Sequence, residues 1–274
     1  MKGTTDNTYP LGIARPYMLR IPKRKKYMYK FFVNDEQING KEINIIGDDV
    51  NHIKNVLRLE VGESICICNK ESSESFECKI ININSDKIIC EILEEIFETT
   101  EPNTYIHIFQ GLPKADKMEW IIEKATEIGV KEITPIIMKR TIVKLEEKDK
   151  LKKIVRWQKI AEVAAKQSKR DCILKVNNII NFKNIFEKIK DYDIVLVAYE
   201  NEVKNTLKNI LNSFKKRDNC KVAVIIGPEG GIDESEMEIC NTNNIIPVTL
   251  GKRILRTETA PLVISSNILY ELED

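Results

Sequence analysis

The sequence predicts two domains, a small β-barrel followed by an α/β domain built on a parallel sheet. Short alternating apolar runs separated by turn residues fill residues 29–98, the pattern of a barrel. Strand-like and helix-like segments then alternate, the pattern of a sheet covered on both faces. Finally, "VAVIIGPEGGIDESE" (222–236) and "LGKRILRTETAPLV" (250–263) each run from an apolar strand into a glycine loop and on toward a helix. Glycine loops at the carboxyl ends of neighbouring parallel strands are where open α/β sheets hold ligands.

The barrel is assigned to residues 28–98, with strands at "YKFFVN", "EINII", "SICICN", "SFECKIINI" and "KIICEILEEI". One helix-like piece interrupts it, "DDVNHIKNVLRL", with Val50, Ile53, Val56 and Leu57 at helical spacing and Asp48 or Asp49 as its cap. The texture changes at "ETTEPNTY" (98–105), and residues 104–274 form the α/β domain. Its segments are "YIHIFQG", "DKMEWIIEKATEIGV", "EITPIIM", "LKKIVRWQKIAEVAAKQSK", "DIVLVAY", a helix near 202–216, "KVAVIIG", a helix near 233–240 and "IIPVTLG". A final helix is expected from Thr257, which is placed as its N-cap.

Composition bounds the class. Apolar content of 42% with 31% charged residues reads as a globular protein and excludes a disordered chain. No apolar run approaches the ~18–20 residues of a membrane span. Net charge is +1, yet residues 1–30 carry eight Lys/Arg against one Asp, so +7, and the rest sums to −6. Residues 1–27 have no apolar signal segment and are read as a solvated, disordered leader, with Met28 as a second possible start. The seven cysteines are odd in number and include no C-x-x-C pair. Only His52 and His107 could join them, so core thiols are expected and no metal site. Cys66 and Cys68 share one face of their strand.

The first glycine loop, "GPEGG", has no Walker lysine and no G-x-G-x-x-G spacing, and Pro228 removes an N–H that a phosphate cradle would use. Gly230 and Gly231 permit positive φ. Beside the second loop, Leu250, Ile254 and Leu255 suit an apolar slot for a flat ring, with Arg253, Arg256 and Glu258 adding charge. His107 alternates with Tyr105 and Phe109 and reads as a core histidine; Trp120 and Trp157 read as core anchors of their helices.

"HIKNVLRLEVGE", "KADKMEWIIEKATEIGV", "RWQKIAEVAAKQSKR", "IIGPEGGIDESE" and "LGKRILRTETAPL" together resemble the RsmE-type 16S rRNA (uracil-N3)-methyltransferases of the SPOUT superfamily, in order across residues 29–274. The resemblance implies an N-terminal PUA-like β-barrel and a C-terminal SPOUT α/β domain with a deep trefoil knot. It further implies a cytoplasmic homodimer whose partner is 16S rRNA in the assembled small ribosomal subunit. S-adenosylmethionine would be the cofactor, held by Ala198, Ile226, Gly227, Pro228, Glu229, Gly230, Gly231, Leu250, Gly251, Ile254, Leu255, Thr257 and Ala260. Arg256 would stabilise charge on the uracil, and Glu258 would accept its N3 proton or serve the last helix. RNA contacts would fall to Lys30, His52, Lys54, Arg58, Lys114, Lys117 and Arg170.

The chain departs from the family pattern at Lys30, where the family often has arginine, at Ile232 in place of phenylalanine, and at Val163, with Glu162 one place early. Three other readings compete: a tRNA or large-subunit methyltransferase of the same superfamily, an RNA-binding assembly protein with a vestigial site, and a nucleotide-dependent dehydrogenase. The last lacks its fingerprint.

Overall fold

The computed structural model describes residues 29–214 and 219–273. The readings of the leader and of Met28 therefore lie outside the described residues.

The first sheet contains β1 (Lys30–Val33), β2 (Ile38–Asn39) and β3 (Glu42–Ile46); after the short helix α1 (Asp48–Asn51) come β4 (Ser64–Asn69), β5 (Ser75–Ile83) and β6 (Lys87–Ile96). Strand order is β1-β4-β5-β6-β3-β2. The two end strands do not pair with each other, so the expected barrel is an open, curled sheet. Register shifts in β5 between Glu77 and Cys78 and between Ile80 and Asn82 mark irregularities of the kind that bend a strand. Inward residues Phe31, Val33, Ile43, Ile45, Ile65, Ile67, Ile80 and Ile88 make its core. α1 continues as a wider π-helical turn, His52–Leu57. Gly47, not an aspartate, stands at its N-cap; Asp48 and Asp49 instead pair with Lys159 and Lys166, at 3.2 and 2.7 Å.

The second unit runs β7 (Tyr105–Gly111), α2 (Lys117–Ile128), β8 (Glu132–Ile137), α3 (Glu147–Ser168), β9 (Lys175–Val176), β10 (Ile180–Asn181), β11 (Ile194–Ala198), α4 (Leu207–Ser213), β12 (Lys221–Ile226), α5 (Glu234–Thr242), β13 (Ile246–Val248) and α6 (Ala260–Leu272). All pairings are parallel, in the order β10-β8-β7-β12-β11-β13, with β9 beside β8. Alternate residues of each strand enter opposite cores. Val222, Val224 and Ile226 face a cluster shared with Ile121, Ile122, Trp157, Ile264 and Ile268. Ala223 and Ile225 face one shared with Phe182, Ile185, Met237 and Cys240. Burial on both faces is why these strands read as unbroken apolar runs.

His107 is buried with both ring nitrogens satisfied, Nδ1 at 2.6 Å from the Tyr192 hydroxyl and Nε2 at 2.7 Å from Thr134 Oγ1. Trp157 is core, but Trp120 is 42% exposed, so its expected role as a core anchor fails. On α2 the core-facing row is Met118, Ile121, Ile122 and Ala125, and Trp120 lies off it.

The first sheet meets α3 of the second unit on the back of β4. Phe32, Cys66 and Cys68 pack against Ala165 of α3, which explains the shared face of the two thiols. Beside them Lys30 Nζ donates to Asp171 Oδ1 at 2.5 Å and to Lys169 O at 3.0 Å. Asp171 also accepts from Ser75, Thr99 and Thr100. Next to this knot of bonds Arg170 donates to Glu101 and to the carbonyls of Thr126 and Val130.

Candidate active site

The carboxyl ends of β11, β12 and β13 open into a cleft of about 490 Å³, within the usual span of small-molecule sites. Ala198, Ile226, Gly227, Pro228, Glu229, Gly230, Gly231, Leu250, Gly251, Ile254, Leu255, Thr257 and Ala260 all line it, as does Arg256. So do Lys117, Tyr199, Glu200, Thr249, Lys252 and Arg253.

The glycine loop is tight because backbone meets backbone there. Of the pair Gly230–Gly231 only Gly231 takes positive φ, at 71°, and a side chain on it would run into the Glu200 carboxylate. A Cβ on Gly111, at the end of β7, would stand 2.5 Å from the Pro228 nitrogen. That requirement was not legible locally: Gly111 ends an ordinary strand, and only the pairing of β7 with β12 brings it to Pro228.

Three segments are tied beneath the cleft. Gln110 Nε2 donates to Thr257 Oγ1 at 3.0 Å, and Thr257 Oγ1 donates to Gly227 O at 2.7 Å. The threonine hydroxyl is thus committed to the loop after β12. It does not cap the last helix, which begins at Ala260 with Thr259 at its N-cap. Leu250 and Leu255 are half-buried against the core, whereas Ile254 is 85% exposed.

Charges cluster at one side. Lys117 Nζ lies 3.0 Å from Glu229 Oε1 and 3.2 Å from Glu258 Oε2. Glu229 Oε1 also accepts the Lys114 backbone N–H at 3.0 Å. Burial would raise the Glu229 carboxyl, but the bond from its own backbone amide and the Lys117 ammonium outweigh it and hold the group below the usual carboxylate range. Arg256 Nη1 approaches Glu258 Oε1 only to 3.9 Å, and its side chain is 83% exposed. Glu258 therefore faces Lys117 and Arg256, two places before the first residue of the last helix.

The expected RNA contacts divide. His52, Lys54 and Arg58 stand on the first sheet's helical turn and its end, with Lys54 Nζ bonded to Asn84 O at 3.0 Å. Lys114 is exposed and Lys117 is partly so, both beside the cleft. Lys30 and Arg170 are corrected: both are buried in the joint between the sheets with their donors taken by Asp171 and Glu101. A guanidinium so engaged has no fork to offer a phosphate. Sequence alone cannot distinguish such a cation from a surface one, because the partners lie 69 and 141 residues away.

Comparison with known proteins places this geometry. The family model for an RNA methyltransferase domain matches residues 100–269, and that for an RNA methyltransferase PUA domain matches residues 45–93. Ribosomal RNA small subunit methyltransferase E of Bacillus subtilis is 36% identical over 253 residues, covering 90% of this chain and 98% of that protein. The protein of the same description from Mesomycoplasma hyopneumoniae is also 36% identical, over 89% and 100%. The crystal structure of a ribosomal RNA small subunit methyltransferase E from Neisseria gonorrhoeae bound to S-adenosyl methionine superposes with a TM-score of 0.78 at 28% identity, over 89% of this chain and 98% of that one. A putative methyltransferase from Legionella pneumophila in complex with the bound cofactor SAM gives 0.77 at 26% identity, over 88% and 97%. With a curled RNA-methyltransferase PUA sheet, a parallel α/β sheet and relatives matched over almost their full length, the chain belongs to the ribosomal RNA small subunit methyltransferase E family of RNA methyltransferases.

Proposed function

We propose that this protein methylates N3 of a uridine in the 16S rRNA of the small ribosomal subunit, with S-adenosylmethionine as methyl donor. The observation that carries the reading is the cleft itself, on the carboxyl ends of β11, β12 and β13, in a member of this family.

Its residues fit that cofactor. Leu250 and Leu255 offer apolar surface to an adenine, and the glycine loop offers close backbone approach. Glu229 and Glu200 offer negative charge to a cationic ligand. Bound, the cofactor supplies an electrophilic methyl group on a sulfonium; every remaining task falls to this chain. Uracil N3 carries its proton near neutral pH and is a poor nucleophile until it loses it. Glu258 is the proton acceptor in this reading, and Arg256 stabilises the charge left on the base. Holding the two reactants in register supplies much of the acceleration.

His52, Lys54, Arg58 and Lys114 would contact the RNA, positioning it through its phosphates. The division into a PUA-like domain over 28–98 and a SPOUT domain over 104–274 belongs to the same proposal. So does the trefoil knot: β12 enters between β7 and β11, and Thr257 bonds back to Gly227 and Gln110 across it. The protein would act in the cytoplasm as a homodimer.

The test is methyl transfer from labelled S-adenosylmethionine to small subunits lacking the modification, protein-free 16S rRNA and bulk tRNA, with nucleosides identified by mass spectrometry. 3-Methyluridine from the small subunits is expected. Label in tRNA or on a ribose oxygen would overturn the substrate.

A further inference from the structure

Lys117 belongs to neither cofactor loop; it is the first residue of α2, yet it lines the same cleft. Its ammonium bridges Glu229, from the loop after β12, and Glu258, from the loop after β13. An ammonium has three N–H donors. These two carboxylates are its ion-pair partners among the described residues, and they leave it a donor to spare. The hydrogen bond to Glu229 leads the causes that raise its pKa, so the group stays a cation and cannot serve as a base. Arg256, by contrast, is 83% exposed and reaches Glu258 only at 3.9 Å, and a charge held in water acts weakly.

Loss of the N3 proton makes the uracil an anion. Glu229 lines the cleft and would repel it, and the cation already seated beside that carboxylate opposes the repulsion without reorganising. We propose that Lys117 is a further catalytic residue, whose ammonium, fixed between Glu229 and Glu258, donates a hydrogen bond to a uracil carbonyl oxygen as N3 gives up its proton. The N3–H bond breaks, its electron pair stays on the ring and spreads onto O2 and O4, and the proton passes to the Glu258 carboxylate. The role rests on the N3-methylation reading above.

The experiment compares the wild-type chain with Lys117→Met and Lys117→Arg on small subunits. Calorimetry should find S-adenosylmethionine bound by Lys117→Met within about threefold of wild type, while kcat falls roughly 10²–10³-fold, the scale of a lost charge-stabilising donor. The rise of kcat with pH should move up by about one unit or more in Lys117→Met and stay near wild type in Lys117→Arg. Placing 5-fluorouridine, with its more acidic N3, at the target should recover at least about tenfold of the lost rate. Independently of turnover, anisotropy should show wild type binding the 5-fluorouridine RNA more tightly as pH rises, and Lys117→Met not. A uniformly lower rate with an unmoved pH profile would overturn the role, as would failure of Lys117→Arg to keep the wild-type profile. A wild-type product other than 3-methyluridine would overturn the N3 reading and this role with it.

Discussion

At the scale of single residues, the cleft depends on glycines whose neighbours come from elsewhere in the chain. Gly111→Ala would press a methyl against the Pro228 backbone, an overpacking cost of about 1–3 kcal/mol. Calorimetry should show cofactor affinity down at least several-fold, and a wild-type constant would show that the glycine loop tolerates displacement. Buried ionisable groups set the acid limb of stability. Burial drives His107 down from its ordinary 6.5 to about 4. It stays neutral while the unfolded chain takes up a proton, so stability falls as pH drops from 6.5 toward 4. Burial alone would raise Glu101, but Arg170 and Lys131 outweigh it and hold the carboxyl at about 2. Its contribution is complete above 4.5 and is lost as pH falls toward 2. Thermal unfolding followed from pH 8 to pH 3 should therefore decline from pH 6.5 downward and steepen below 4.5. A flat profile between 6.5 and 4 would remove His107 from that account.

At the scale of elements, helix ends and the joint between the sheets are where local pattern and structure part company. Thr206 caps α4 in the ordinary way, its side chain accepting the Asn209 N–H, and Thr206→Ala should cost about 1 kcal/mol in denaturant titration. Thr257 and the Asp48–Asp49 pair had equally good capping sequences, but their side chains bond to the loop after β12 and to α3. A distant acceptor or cation won over the nearby amide. The joint is polar as well as apolar: Lys30, Asp171, Arg170 and Glu101 are buried beside Phe32, Cys66 and Cys68. Removing one member of such a pair strands its partner, typically at 3–5 kcal/mol. Glu101→Gln should lower the unfolding free energy by roughly that much and leave cofactor affinity near wild type, since Glu101 is not in the cleft. A loss below about 1 kcal/mol would mean that water reaches the pair.

At the scale of the whole molecule, strands and helices were legible because their apolar period is a local property. "SICICN", "SFECKIINI", "KIICEILEEI" and "YIHIFQG" are β4 to β7 to the residue. Two-residue strands such as β9 and β10 carry no period and were missed. The sequence by itself determined the two-part layout, the parallel sheet and the two glycine loops, since each follows from apolar spacing and from residues that break it. It also carried the family, through motifs spread along the chain. Only the tertiary structure decided that β12 lies between β7 and β11, that Gly111 must stay small, that Arg170 and Lys30 are internal, and that Lys117 meets both Glu229 and Glu258. Each of those facts is a meeting of residues far apart in the chain, and no periodicity encodes which distant group a buried charge or a bare backbone will find.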